Sequence, residues 1–242
     1  MGSYYAEKLA GRRLRRCYEI ASPRVRQYLE AEIRHVSSLL RPTDLVLELG
    51  CGYGRVASRL ACRAARVVGI DTSEESLRLA RTTAPTRERC TFLCMDALAL
   101  GFPDATFDAV VCVQNGICAF HVDPEALLRE ALRVARPGAL VLCSTYADGF
   151  WPERLAWFEA QAAEGLLGPI DHTASGDGTI VCTDGFRSGR MSAADLVSLC
   201  ARVGAHGEIR EVDGSSIFCR IVAGRRNTPR RKVRHPRGSR AG

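Results

Sequence analysis

Leu45-Val46-Leu47-Glu48-Leu49-Gly50-Cys51-Gly52-Tyr53-Gly54 is the stretch on which the reading of this chain turns. Its first five residues are mostly apolar and lack the alternation of a half-exposed strand. They predict a strand covered on both faces. Three glycines follow at every second position. Glycine lets a backbone take positive φ and approach a ligand closely. Val56, Ala57, Leu60 and Ala61 then carry helical apolar spacing, so a helix with free N–H groups opens just after the turn. Asp71 closes the next apolar run, about 20 residues downstream, where an acid accepts hydrogen bonds from ribose hydroxyls.

The logic is that of a nucleotide site, and spacing narrows it. A dinucleotide turn, G-x-G-x-x-G, needs glycine at position 55, which is Arg55. Here the third glycine comes one residue earlier, at Gly54, and Glu48 stands two residues before the first.

The same pattern extends in both directions. Upstream, residues 4–40 read as helical, with Leu29, Ile33, Val36 and Leu40 on one stripe and Pro42 as the stop. Downstream, Arg66–Ile70 is a second strand, and Thr72-x-x-Glu75 is a capping box with Leu77 and Ala80 inward. Thr91–Met95 and Phe107–Val113 are further strands. Asp123 caps a helix with Pro124 in its first turn and Leu128, Leu132 and Ala135 inside. Pro137-Gly138 ends that helix, and Ala139–Cys143 is strand five. Strands alternating with helices predict an α/β fold, a mostly parallel sheet wrapped on both faces.

The last third changes character. Trp151–Glu164 is helical. The segment Gly165–Gly189 is rich in Gly, Asp and Thr, with one strand-like piece at Thr179–Cys182, and reads as an insertion over the sheet's ligand end. Ser192-x-x-Asp195 caps a helix that Gly204 ends. His206–Glu211 and Ser216–Val222 predict a closing antiparallel hairpin.

The pattern Glu-x-Gly-x-Gly-x-Gly resembles motif I of the class I S-adenosylmethionine (SAM)-dependent methyltransferases. Gly69-Ile70-Asp71-Thr72-Ser73 resembles that family's second-strand ending, and Met95-Asp96-Ala97 its third, where an Asp takes the adenine amino group. Phe107-Asp108 to Val113-Gln114-Asn115 resembles motif IV. Arg136-Pro137-Gly138 resembles the turn before strand five, with Ala139 in place of a second glycine. The resemblance covers about residues 40–145 and is nearest to the small-molecule, ubiquinone-biosynthesis-like branch. It implies a Rossmann-like doubly wound sheet with an antiparallel C-terminal strand. It also implies SAM as cofactor and in-line methyl transfer to a small molecule, with no metal required. The implied cofactor-binding set is Glu48, Gly50, Cys51, Gly52, Gly54, Asp71, Thr72, Asp96, Ala97, Gln114, Asn115 and Tyr5. Residues 1–40 would form a helical lid, 41–224 the SAM domain with a cap at about 146–190, and 225–242 a basic tail.

Each candidate has a plainer alternative. Cys51 sits beside a helix N-terminus, which lowers thiol pKa values, yet a Cys there also simply fits the turn. His121 is of the residue type that most often serves as a general base but lies near the Asp123 cap, where a surface histidine is ordinary. His172, beside Asp171, is a weaker candidate. Tyr4, Tyr5 and Tyr18 fall in the segment that closes over the cofactor in related enzymes, or pack. Trp151 and Trp157 read as packing.

Composition sets bounds. The chain has 242 residues, 46% hydrophobic, enough for one core. No apolar run reaches the roughly 18 residues of a membrane span. The first residues lack a signal-peptide pattern. Eleven cysteines, an odd number with no Cys-x-x-Cys, read as reduced thiols and a cytoplasmic location. Cys90, Cys94, Cys112 and Cys118 leave room for a thiophilic acceptor. The net charge of +7 is carried by residues 225–242, with seven Arg, Lys232 and no acid. That tail reads as solvated, while nucleic-acid binding, and with it an RNA- or ribosome-directed methyltransferase, is the alternative. Against it, Val113-Gln114-Asn115-Gly116 has neither the proline nor the aromatic residue typical of enzymes that methylate base amino groups. A non-catalytic SAM-binding protein is a further reading. The accepting atom (O, N, C or S) and the oligomeric state stay open.

Overall fold

A computed structural model of the chain describes residues 4–83 and 88–224; the basic stretch 225–242 lies outside the described residues. Three helices lead: α1 (Tyr4–Glu7), α2 (Gly11–Glu19) and α3 (Pro23–Leu39). Ser22 caps α3 through its Oγ, with Pro23 at the first position, which divides the expected helical stretch. The strand read from Leu45–Leu49 is β1. Then come α4 (Arg55–Leu60), β2 (Arg66–Asp71), α5 (Glu74–Thr83), β3 (Cys90–Cys94), β4 (Phe107–Cys112), α6 (Gly116–Ala119) and α7 (Pro124–Val134). β5 (Ala135–Tyr146), α8 (Trp151–Ala163), β6 (Ile180–Val181), β7 (Arg187–Ser188), α9 (Ala193–Arg202), β8 (Gly207–Val212) and β9 (Ser216–Val222) complete the described chain.

Seven strands form one sheet in the order β3-β2-β1-β4-β5-β9-β8. The first five are parallel, and β9 runs antiparallel to both β5 and β8. The sheet is therefore Rossmann-like with an antiparallel strand on its C-terminal side. Strand order reverses between β1 and β4, and a doubly wound sheet binds ligands in the crevice at such a point.

Side-chain alternation sorts β1 between two cores. Leu47 and Leu49 join Leu127, Leu128 and Leu199 on the α7–α9 face. Val46 joins Ile33, Val36, Leu60 and Leu77 on the α3–α4–α5 face. A third cluster holds Cys17, Tyr28 and Trp157 with Ile180 and Phe186, so α2, the start of α3, α8 and the insertion share one core. Because Ile33 and Val36 are built into the sheet layer, α3 is scaffold. Within the N-terminal region, it is residues before α3 that reach the carboxyl ends of the strands.

Three local expectations change. The cap of α5 is Ser73, whose Oγ accepts the Ser76 N–H, and not Thr72. The side chain of Glu75 instead lies against Gly11. β5 is longer than Ala139–Cys143 because β9 pairs with it from Leu140 to Tyr146. Pro137 is tolerated within it because the pairing with β4 is irregular between Phe107 and Ala109.

Candidate functional site

A cavity of about 890 Å³ opens at the carboxyl ends of β1, β2, β3 and β4. That is within the range of small-molecule sites. Its floor is the predicted turn. Gly50, at φ 71, and Gly52 face the space, and Asp71 braces Gly52. One Asp71 oxygen accepts the Gly52 N–H at 2.8 Å, and the other accepts the Ser73 N–H at 2.8 Å. The carboxylate keeps lone pairs toward the cavity, since each oxygen can accept more than once. Thr72, Asp96 and Ala97 line the same wall. Asp96 uses one oxygen for the Leu98 N–H, which turns the chain after β3.

Glu48 and Cys51 also reach the cavity. Burial pushes the Cys51 thiol well up, away from thiolate, so a nucleophilic role has no support. Gln114 lies at the tip of β4 with φ 56. Its N–H donates to Glu32 Oε2 at 2.7 Å and to Ser144 Oγ at 2.8 Å. Its Oε1 accepts from Arg55 at 2.5 Å.

Two residues of the expected set do not line the cavity. Gly54 caps α4, and a Cβ there would meet Phe92 at 2.8 Å and Ala80 at 3.1 Å; it lets helix and sheet close up. Asn115 is buried and turned the other way. Its Nδ2 donates to the Gly189 carbonyl at 3.0 Å, and its Oδ1 accepts from Thr145 at 2.9 Å. It ties the insertion to the sheet. Cys90, Cys94, Cys112 and Cys118 are likewise absent from the lining. His172 stands on the surface, 3.7 Å from Glu159.

The far wall comes from both chain regions expected over the ligand end. Tyr5 and Tyr18 enter from the N-terminal helices, and Asp184 and Arg187 from the insertion. The two regions are joined, because the Tyr4 hydroxyl donates to Asp184 and Lys8 Nζ donates to the Asp184 carbonyl at 3.1 Å. Burial pushes the Tyr5 and Tyr18 hydroxyls up, so both stay protonated donors. His121 lines the rim, exposed, with φ 53. The sequence reading did not place Arg55, Asp184, Arg187 or the buried Glu32 in the site.

Burial pushes the Glu48 carboxyl up to about 8 and the Glu32 carboxyl to about 7, with Arg55 opposing both shifts. The folded chain thus holds protons that the unfolded chain, with carboxyls near 4.5, releases. This contribution is complete below 4.5 and is lost as pH rises through about 7 to 8. His35, pushed down by burial, works the other way below its ordinary 6.5. Thermal melts of the ligand-free protein should therefore show a flatter pH profile in Glu32→Gln than in wild type between 4.5 and about 7. Parallel profiles would mean that Glu32 is ionised in the fold.

Residues 46–138 match the methyltransferase domain family model. That stretch is similar to methyltransferase domains. The domain is 38% identical over 106 residues to the ubiquinone biosynthesis O-methyltransferase of Chromobacterium violaceum, covering 41% of this chain and 43% of that protein. It is 36% identical over 105 residues to the 27-O-demethylrifamycin SV methyltransferase of Amycolatopsis mediterranei, covering 41% and 37%. The chain thus spans less than half the length of these curated relatives. Among solved structures, a Pyrococcus horikoshii protein superposes with a TM-score of 0.67 at 22% identity, over 91% of this chain and 97% of its own. The N-methyltransferase NodS of Bradyrhizobium japonicum, solved with S-adenosyl-L-homocysteine, superposes with a TM-score of 0.55 at 13% identity, over 84% and 88%. These structures share the fold of this chain. No helix among the described residues is long and apolar enough to cross a membrane.

Proposed function

We propose that the chain transfers the methyl group of S-adenosylmethionine to a small-molecule acceptor. The observation that carries this is the glycine turn braced by Asp71 at the point where strand order reverses, facing a cavity of about 890 Å³. The residues present fit the cofactor. Asp71 would accept from the ribose hydroxyls and Asp96 from the adenine amino group. Gly50, Cys51, Gly52, Thr72 and Ala97 would supply backbone and shape. Glu48, whose Oε2 has no partner among the described residues, and Gln114 would serve the amino-acid end. Tyr5 would close over it.

When bound, S-adenosylmethionine would supply a methyl carbon activated by cationic sulfur. The protein then has to orient the acceptor, keep water out and take any proton the acceptor sheds. His121 is the rim group able to hold that proton. His121→Gln should lower kcat and leave cofactor affinity unchanged. Free cysteines, seven of the eleven buried, support a cytoplasmic location.

Calorimetry with S-adenosylmethionine and S-adenosylhomocysteine tests the reading, and absence of binding to either would end it. Asp71→Ala should weaken binding by roughly 1.5–3 kcal/mol, the scale of hydrogen bonds to a charged group. Because Asp71 also accepts the Gly52 and Ser73 N–H groups, the same change should lower the melting temperature.

A further inference from the structure

Most arginines near the sheet are matched to acids: Arg59 to Glu30, Arg133 to Glu130 and Asp104, and Arg136 to Asp108. Arg55 is not; it has no ion pair among the described residues, yet it lines the cavity. Its guanidinium is held in place by neutral groups. Nη2 donates to Gln114 Oε1 at 2.5 Å, and the guanidinium carbon lies 4.6 Å from the centre of the Tyr18 ring. Gln114 is itself fixed, because its N–H is shared between Glu32 and Ser144. The nearby Glu48 is fully desolvated and holds its proton up to about 8, so it leaves the positive charge standing. A planar cation fixed by a ring face and one hydrogen bond keeps its other N–H groups for a bidentate anion.

Position gives that anion an identity. Along the sheet the order is β3, β2, β1, β4. Acids occupy the tips at one end, Asp96 after β3 and Asp71 at the end of β2. They suit the uncharged, donor-rich groups of a nucleoside. Arg55 stands at the other end with Gln114, after β4. A ligand lying across the tips would have its hydroxyls and amine over the acids and an anion at Arg55. S-adenosylmethionine has this polarity, with its carboxylate at the opposite end from adenine. We propose that Arg55, stacked on Tyr18 and tied to Gln114, receives the cofactor's carboxylate and makes the site select the amino-acid-bearing nucleoside. This rests on the cofactor reading above.

The test compares S-adenosylmethionine with decarboxylated S-adenosylmethionine, which differ only in that group, by calorimetry on the full chain. Wild type should prefer the carboxylate form at least on the order of tenfold, and Arg55→Gln should erase the preference by weakening that ligand alone. Arg55→Met, which keeps an apolar stem against Tyr18, should behave alike and replaces the first variant if that one does not fold. A preference that survives either change, or an equal loss for both ligands, overturns the assignment. So does a wild type that binds the two equally, which would leave the cofactor reading intact. A wild type that binds neither overturns both.

Discussion

Gly50→Val should cut affinity for S-adenosylhomocysteine on the order of a hundredfold or more, about 2.7 kcal/mol. Two costs converge at this residue. Its φ of 71 suits glycine and is strained for a β-branched side chain. A Cβ would also fall 2.5 Å from the Phe120 ring, which lines the same cavity. Either the ring swings into the ligand space or the turn flattens, and both remove the surface on which the ligand lies. The ring belongs to a half-buried side chain at the cavity wall, so the fold should lose little. Gly54→Val should show the opposite balance. Its Cβ would strike Phe92 and Ala80 inside the core, an overpacking that costs roughly 1–3 kcal/mol of stability. Calorimetry and thermal melts on the two variants separate these effects. Near-wild-type binding by Gly50→Val would remove the turn from the site.

Arg154→Met should destabilise the fold by about 3 kcal/mol, a fall of roughly 6–12 °C in Tm for a domain this size. Arg154 is 1% exposed. It donates to the carbonyls of Gly178, Ser188 and Gly189 and to Ser188 Oγ, and its guanidinium lies 4.2 Å from the centre of the Tyr146 ring. No carboxylate accompanies it in these contacts; it binds the carbonyls of the insertion. Methionine fills the volume but leaves those acceptors buried and unmet, each at a cost of about 1–3 kcal/mol before relaxation. Arg154→Lys should rescue only part, because one ammonium cannot reach the same fan of carbonyls. Limited proteolysis should then cut within residues 176–190 first. A variant as stable and protease-resistant as wild type would show that the insertion holds its place without this residue.

The half of the site that sequence revealed is the half built locally. The run Leu45–Leu49, the glycines behind it and the acids at Asp71 and Asp96 sit within a few residues of the strand tips that aim them, so order along the chain is order in space. The far wall depends on packing between distant segments. Asp184 is placed by Tyr4 and Lys8, across about 180 residues of chain, which no spacing rule reads. Gln114 and Asn115 looked equivalent as neighbours at a strand end, and only the turn of the backbone sends one into the cavity and the other behind it. Two missed residues did leave a trace. Glu32 falls on the stripe of Leu29, Ile33 and Val36, and Arg154 on that of Trp151 and Phe158. A charge on an apolar stripe either carries its own partners or is a mistake in the assignment. Both are buried and hydrogen-bonded.

The bond from Asn115 to the Gly189 carbonyl has a practical corollary for anyone wishing to broaden the acceptor range. A single peptide unit joins Gln114, which faces the cavity, to Asn115, which holds the Gly189 carbonyl. A cap transplanted from another enzyme would therefore have to offer a carbonyl at the same spot, or the shift would pass through that unit into Gln114 and its guanidinium partner. Swapping the acceptor wall and preserving cofactor affinity become one engineering problem.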